Sequence, residues 1–315
     1  MFFPTTSELF FTKNDPNDVR LGDLFRPLVS QTLKENDIVL CGYPDDEGIR
    51  LSGGRVGASQ APKLIRQFLY KMTPTDFKYS TQFLDAGDLI PENTLALRHE
   101  KAQVHAKDLF HAKTRVVAFG GGHDYGFSDA GAFLEASLAQ FKKKPLVINF
   151  DAHLDVRPVK DGILHSGTPF SRLLEKYHKQ FSFIEIGLQK QCNSPHHRLW
   201  AEQHGAELVD LMDIAKKGWD WVWWKPMLAS LQMDTPVFVS FDIDALTAAE
   251  AGGASQAWAT GLKVQDCLLF LEKLYSICNV RGLGIYEVSP PLDRDFQTSK
   301  TAALLAHQFI FSYAK

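Results

Sequence analysis

The sequence predicts an α/β protein: an open, mostly parallel sheet with helices on both faces. Three observations carry this. Short, uniformly apolar, β-rich runs recur along the chain. Each is followed by a stretch of helical periodicity. Several runs then stop abruptly at glycines or acids. Uniformly apolar runs suit strands buried on both faces of a parallel sheet. Alternation with helical segments gives the strand–helix order of such a sheet. Polar strand ends are where open parallel sheets bind their ligands.

The apolar runs fall at 38–41, 83–84, 116–119, 146–150, 183–186, 208–211, 237–241 and 283–285. Helices are expected at 61–70, 128–141, 171–180 and 264–277, with a closing helix at 301–314. The 315 residues could make two ordinary domains. About eight strands in unbroken alternation, without repeat or linker, fit one single domain over 1–315 better. Trp219, Trp221, Trp223 and Trp224, beside Lys216, Lys217 and Lys225, read as an aromatic helix face packed on the body.

Composition narrows the function. With 34 basic and 37 acidic side chains and a net charge of −3, the chain lacks the basic excess of a nucleic-acid binder. No run approaches the length of a transmembrane helix, and the start lacks a signal-peptide pattern. The four cysteines, Cys41, Cys192, Cys267 and Cys278, form no C-x-x-C pair. They suggest a reducing, cytoplasmic setting rather than a disulfide framework.

Four strand ends carry the candidate chemistry. Residues 116–124 end in Gly120-Gly121-Gly122-His123-Asp124, where glycines allow a sharp turn and close approach to a ligand. Residues 147–157 place Asp151, His153 and Asp155 two apart, which in extended chain puts all three on one side. Such a group is unstable without a cation. Residues 237–244 repeat the spacing with Asp242 and Asp244, whose like charges raise each other's pKa. Residues 282–293 place Glu287 before a proline-ordered loop.

Asp124 apart, the first three clusters supply two histidines and four aspartates. That exceeds the four ligands of a tetrahedral zinc site. Oxygen-rich ligation with some imidazole suits a harder ion such as manganese, and six ligands suit two ions about 3.5–4 Å apart.

These motifs resemble, in order and over nearly the whole chain, those of the ureohydrolases: arginase, agmatinase and formimidoylglutamase. Asp46–Arg50, 54–58, 61–66, Ser166-Gly167-Thr168-Pro169-Phe170 and Gln189 with Asn193-Ser194 look most like the formimidoylglutamase branch. The resemblance implies a three-layer α/β/α fold on an eight-stranded, mostly parallel, arginase-like sheet, and two Mn2+ per subunit. It implies His123, Asp151, Asp155 and Asp242 on one ion, and Asp151, His153, Asp242 and Asp244 on the other. It further implies hydrolysis of a linear amidine C–N bond, with N-formimidoyl-L-glutamate giving L-glutamate and formamide, a step of histidine degradation. A hydroxide bridging the metals would attack. Asp155 would orient that hydroxide, and Glu287 would bind the cationic amidine.

His165 is a candidate proton carrier and Ser166 a substrate contact. Arg50 and Arg55 are candidates for the substrate carboxylates, with Arg157 a third, because arginine binds carboxylates in bidentate fashion. A homo-oligomer is implied; nucleic-acid and membrane partners are not. Three stretches depart from the branch: Asp124, the glycines at 252–253 with their flanks, and 294–300. All are expected near the far end of the substrate. Competing readings are another ureohydrolase specificity that releases urea from a guanidino acid, a binuclear phosphoesterase, and a non-catalytic binding protein.

Overall fold

The computed structural model describes residues 2–314 apart from Ser30 and Phe77. Ten strands form one sheet: β1 (Phe2–Phe3), β2 (Arg26–Pro27), β3 (Ile38–Gly42), β4 (Phe83–Leu89), β5 (Arg115–Phe119), β6 (Leu146–Phe150), β7 (Ser182–Leu188), β8 (Ala206–Asp210), β9 (Pro236–Asp242) and β10 (Asn279–Tyr286). The order is β1-β4-β3-β5-β10-β9-β6-β7-β8, with β2 also on β4. The eight longer strands are parallel, and each contains or overlaps one of the eight apolar runs. The two extra strands have two residues each and lie at one edge; β1 alone is antiparallel. Such short pairings leave no apolar run to read.

Strands β3, β5, β6 and β9 are buried at every position, as uniformly apolar runs require. Two apolar clusters fill the space between sheet and helices. One packs Ile65 and Phe309 against strand residues Ile148 and Val239. The other packs Ala106 and Phe133 against Val116 and Phe238. The predicted helices form at Ala61–Leu69, Gly126–Gln140, Pro169–Tyr177, Val264–Ile277 and Gln297–Tyr313.

The helix Leu95–His111 has no counterpart among the expected segments. Its buried face is Leu95, His99, Ala102, Ala106, Leu109 and Phe110. The spacing is helical, but a histidine and two alanines give that face little apolar contrast. Trp219 and Trp223 pack on Phe270, with ring centroids at 5.2 and 4.4 Å. Lys217 and Lys225 lie over Trp221. Trp224 departs from the expected packed face, at 81% exposed.

The chain builds outward from the middle of the sheet in both directions. It then returns to insert β9 and β10 between β5 and β6. The carboxyl ends of β5, β10, β9 and β6 therefore sit side by side at the topological switch point. These are the four strand ends that carry the polar motifs.

Candidate metal centre

His123 follows β5, Asp151 follows β6, Asp242 ends β9 and Glu287 follows β10. Neighbouring strands thus bring together residues far apart in sequence. One ligand atom each from His123, Asp151, Asp155 and Asp242 falls within 4.8 Å of the others. Asp151, His153 and Asp244 form a second such group. Asp151 belongs to both, while Asp242 groups only with the first set.

The convergence of Asp151, His153 and Asp155 does not come from extended chain. β6 stops at Phe150, and Asp155 has a left-handed backbone, φ +47°. The loop folds on itself: the His153 N–H donates to Asp151 Oδ1 at 2.7 Å. Asn193 ties it down, accepting from the Leu154 N–H at 2.8 Å and donating to the Ala152 carbonyl at 2.8 Å. Asp242 and Asp244 use the same device, the Asp244 N–H donating to Asp242 Oδ1 at 2.9 Å. In both loops a carboxylate caps the amide two residues on, while its other oxygen faces His123 Nδ1.

The glycines of 120–122 make room for protein rather than ligand. A Cβ on Gly120 would lie 2.2 Å from the Tyr286 ring, on Gly121 1.6 Å from the Asp45 carbonyl, and on Gly122 2.3 Å from Asp124. His123 is therefore packed tightly from behind. Its ring stacks on Tyr286, and its Nε2 lies 2.8 Å from Ser240 Oγ.

With Nε2 engaged by Ser240, Nδ1 faces carboxylate oxygens of Asp151, Asp155 and Asp242 at 3.0, 3.1 and 3.1 Å. It forms a hydrogen bond with none of them. Buried Asp244 Oδ1 is likewise without a partner. A buried nitrogen amid three carboxylates is what a hard divalent cation would satisfy. A hydrogen bond such as that between Ser240 and the far nitrogen of His123 fixes a ligand's orientation in metal sites.

The electrostatics agree. Burial, then Asp244 and Asp151, push Asp242 well above the carboxylate range. Burial and then Asp242 do the same to Glu287, and burial and then Asp151 raise Asp155. Burial opposes ionisation of Asp151 too, but the adjoining imidazoles of His123 and His153 hold it low. Without a cation the protein must keep protons in this group; the residues present fit a metal.

Beside these ligands lies a cleft of ≈ 180 Å³. Its lining includes His153, Asp155, Asp242, Asp244, Glu287, Ser166 and Arg157. Arg157 is the one arginine or lysine among the described residues lining it. Arg50 and Arg55 do not line it. Arg50 is exposed, 3.7 Å from Glu47. The Arg55 guanidinium donates to the carbonyls of Ala254 and Ser255 and so latches two loops at the rim. Ser166 pairs its hydroxyl with Ser52 at 3.0 Å. His165 lines a neighbouring groove with Lys160 and His197 instead; its Nδ1 accepts from the Gly167 N–H at 3.1 Å. Burial and then Arg157 hold its pKa low.

Of the three departures, Asp124 is buried and sits 2.6 Å from His99 Nε2, away from the cleft. Residues 294–300 contribute nothing to the lining either, and the loop from 252 reaches it only through Ser255, with Gln256 and Trp258 next to it. Cys192, Gln256 and Trp258 line the cleft without having been singled out in the sequence. None belongs to a strand-end motif that could have flagged it.

The arginase family model matches residues 36–312. The chain belongs to the arginase family. Among its family relatives, formimidoylglutamase of Clostridium tetani is 29% identical over 280 residues, covering 87% of this chain and 82% of that protein. The arginase-like fold recurs in formiminoglutamase of Trypanosoma cruzi, solved with Mn2+. That structure has a TM-score of 0.80 and 29% identity, covering 94% of this chain and 98% of the other. Formimidoylglutamase of Bacillus subtilis superposes with a TM-score of 0.82 at 26% identity, covering 96% and 93%. No described helix is long and apolar enough to cross a membrane.

Proposed function

We propose that this chain hydrolyses N-formimidoyl-L-glutamate to L-glutamate and formamide, using two manganese ions. The observation that supports it most is the unsatisfied His123 Nδ1 amid three carboxylates beside a cleft that also holds Glu287. His123, Asp151, Asp155 and Asp242 would hold one ion. Asp151, His153 and Asp244, with Asp242, would hold the other. Two divalent ions in such a site supply a nucleophile at neutral pH and stabilise charge in the transition state.

The protein's own residues supply recognition and proton handling. The Glu287 carboxylate accepts from the His123 N–H at 3.0 Å, which fixes its direction. From there it receives the cationic amidine through charge-assisted hydrogen bonds. Asp155 lines the cleft and is placed to take a proton from the attacking water and return it to the leaving nitrogen. Arg157 replaces Arg50 and Arg55 as the partner of a substrate carboxylate, because it alone reaches the cleft. Ser166 remains a substrate contact; His165, turned to the neighbouring groove, does not serve as the proton carrier.

The names of the relatives add support for this substrate over a guanidino acid. The reading places the enzyme in the cytoplasm, consistent with four free cysteines, as a homo-oligomer. The deciding assay supplies manganese and measures formamide from formimidoylglutamate against urea from guanidino acids. Formamide release is expected. Urea release alone would replace this substrate assignment, and failure to take up manganese would sink the enzyme reading.

A further inference from the structure

Tyr286 is the last residue of β10 and is fully buried. One face of its ring stacks on the His123 imidazole, with centroids 5.0 Å apart and planes at 24°. Its hydroxyl donates to Asp129 Oδ2 at 2.6 Å. The other oxygen of Asp129 accepts from the Tyr43 hydroxyl at 2.5 Å. Tyr43 in turn stacks on Tyr125 at 4.6 Å. All four residues are at most 1% exposed. A buried carboxylate with two strong donors is a costly arrangement that fixes both donors.

The backbone is shaped around this ring. A Cβ on Gly120 would meet Tyr286 Cδ1 at 2.2 Å, and one on Gly284 would meet its hydroxyl oxygen at 2.1 Å. Gly284 on β10 and Gly120, just past the end of neighbouring β5, thus leave a slot for one side chain. The next residue is Glu287, whose φ of +64° lies in the left-handed region. A non-glycine residue stays there only where its surroundings hold it. The anchored Tyr286 ring on one side, and the Glu287 N–H donating to the Gly121 carbonyl at 2.8 Å on the other, provide that hold.

We infer that Tyr286, anchored by Asp129 and Tyr43, is a positioning residue that sets the His123 ring for the metal and the Glu287 carboxylate for the substrate together. The inference rests on the metal-dependent amidine hydrolysis proposed above. It adds to it a physical link between the two halves of the site. Loosening the hydroxyl anchor lets the ring tilt, which disturbs the imidazole plane and the strand end at once.

The test strips the full-length protein of metal and titrates it with Mn2+, following free Mn2+ by electron paramagnetic resonance. Tyr286→Phe keeps the ring and removes the anchor. It is expected to weaken manganese binding by about tenfold, the lower end for outer-shell partners, and to raise KM for formimidoylglutamate. Tyr43→Phe, one step further out, shifts both in the same direction by less. Tyr70→Phe is the structural control. Its hydroxyl also donates to a buried carboxylate, that of Asp85, far from the cleft. It should lower Tm and leave manganese affinity unchanged. Tyr286→Phe that lowers Tm like the control but binds manganese as tightly as wild type would overturn the inference while leaving the enzyme reading intact. Wild type that takes up no manganese would overturn both.

Discussion

Two buried ionic clusters in this molecule differ in one respect. In the first, Asp85 accepts from Arg66 Nε at 2.9 Å, from its second terminal nitrogen at 3.0 Å, from the Gly87 N–H and from the Tyr70 hydroxyl. Asp88 takes the remaining guanidinium nitrogen at 2.6 Å. Among the described residues, no buried side-chain nitrogen or oxygen of that cluster is left without a partner. In the second, at the metal centre, four aspartates and Glu287 face two histidines, and His123 Nδ1 and Asp244 Oδ1 are left over. The first cluster is closed by the fold. The second is closed only by a cation from outside. Buried charge completed by the protein is structural; buried charge left incomplete is a binding site.

The largest test of that contrast is Asp242→Asn. Manganese binding should fail, and activity should fall beyond the ~10²–10³-fold cost of losing one electrostatic contact. The metal-free protein should be as stable as wild type or more so, since one of several crowded carboxylates is gone. Titration with Mn2+ and urea unfolding of the stripped protein measure both. A clear loss of metal-free stability would mean the second cluster is structural after all.

Arg66→Met makes the opposite prediction. It leaves Asp85 and Asp88 without their cation, so stability should drop by about 3–5 kcal/mol, with manganese affinity unchanged. Denaturant midpoints and the same Mn2+ titration separate the two. Glu287→Gln comes next. It keeps the shape but removes the charge that meets the amidine, so kcat/KM should fall roughly 10–100-fold, the worth of a charge-assisted hydrogen bond. Both ions should still bind, and elemental analysis of the purified variant would show whether they do.

The last effect is spread over a range of pH. Burial raises Asp129 to about 7 against its tyrosine hydrogen bonds. A carboxylate with a raised folded pKa keeps an extra proton in the native state. Its stabilisation is complete below the unfolded value of 3.8 and is lost as pH climbs to about 7. The slope is at most about 1.4 kcal/mol per pH unit. Asp129→Asn should flatten the stability profile in that window, and an unchanged profile would show that Asp129 stays ionised.

Much of this was legible in the sequence. Strands buried on both faces announce themselves as apolar runs, and acids at their ends stand out against them. That was enough to find the fold and to single out the six residues that the structure gathers into two candidate groups. The reasons were less visible than the residues. Asp151, His153 and Asp155 converge through a folded loop with a left-handed Asp155, and two-residue spacing does not report backbone hand. Gly120, Gly121 and Gly122 serve Tyr286, Asp45 and Asp124, contacts made across the sheet that no local pattern encodes. The arginines show the limit most clearly. Arg50, Arg55 and Arg157 are alike as residues in loops, but only side-chain direction decides that Arg157 meets the cleft while Arg55 turns to carbonyls.

That Arg55 latch has a consequence for how the molecule matures. It joins residues 200 positions apart. Glu287 reaches His123 across 164. Such contacts form late, because long loops must close before they are rewarded. Strands β9 and β10, which complete the centre of the sheet, follow the other eight strands in the chain. A chain that stops before Asp242 lacks part of each of the two groups or of the sheet that gathers them. Tight manganese binding would therefore wait on closure of the sheet's centre, and a chain that holds its metal would be one whose centre has closed.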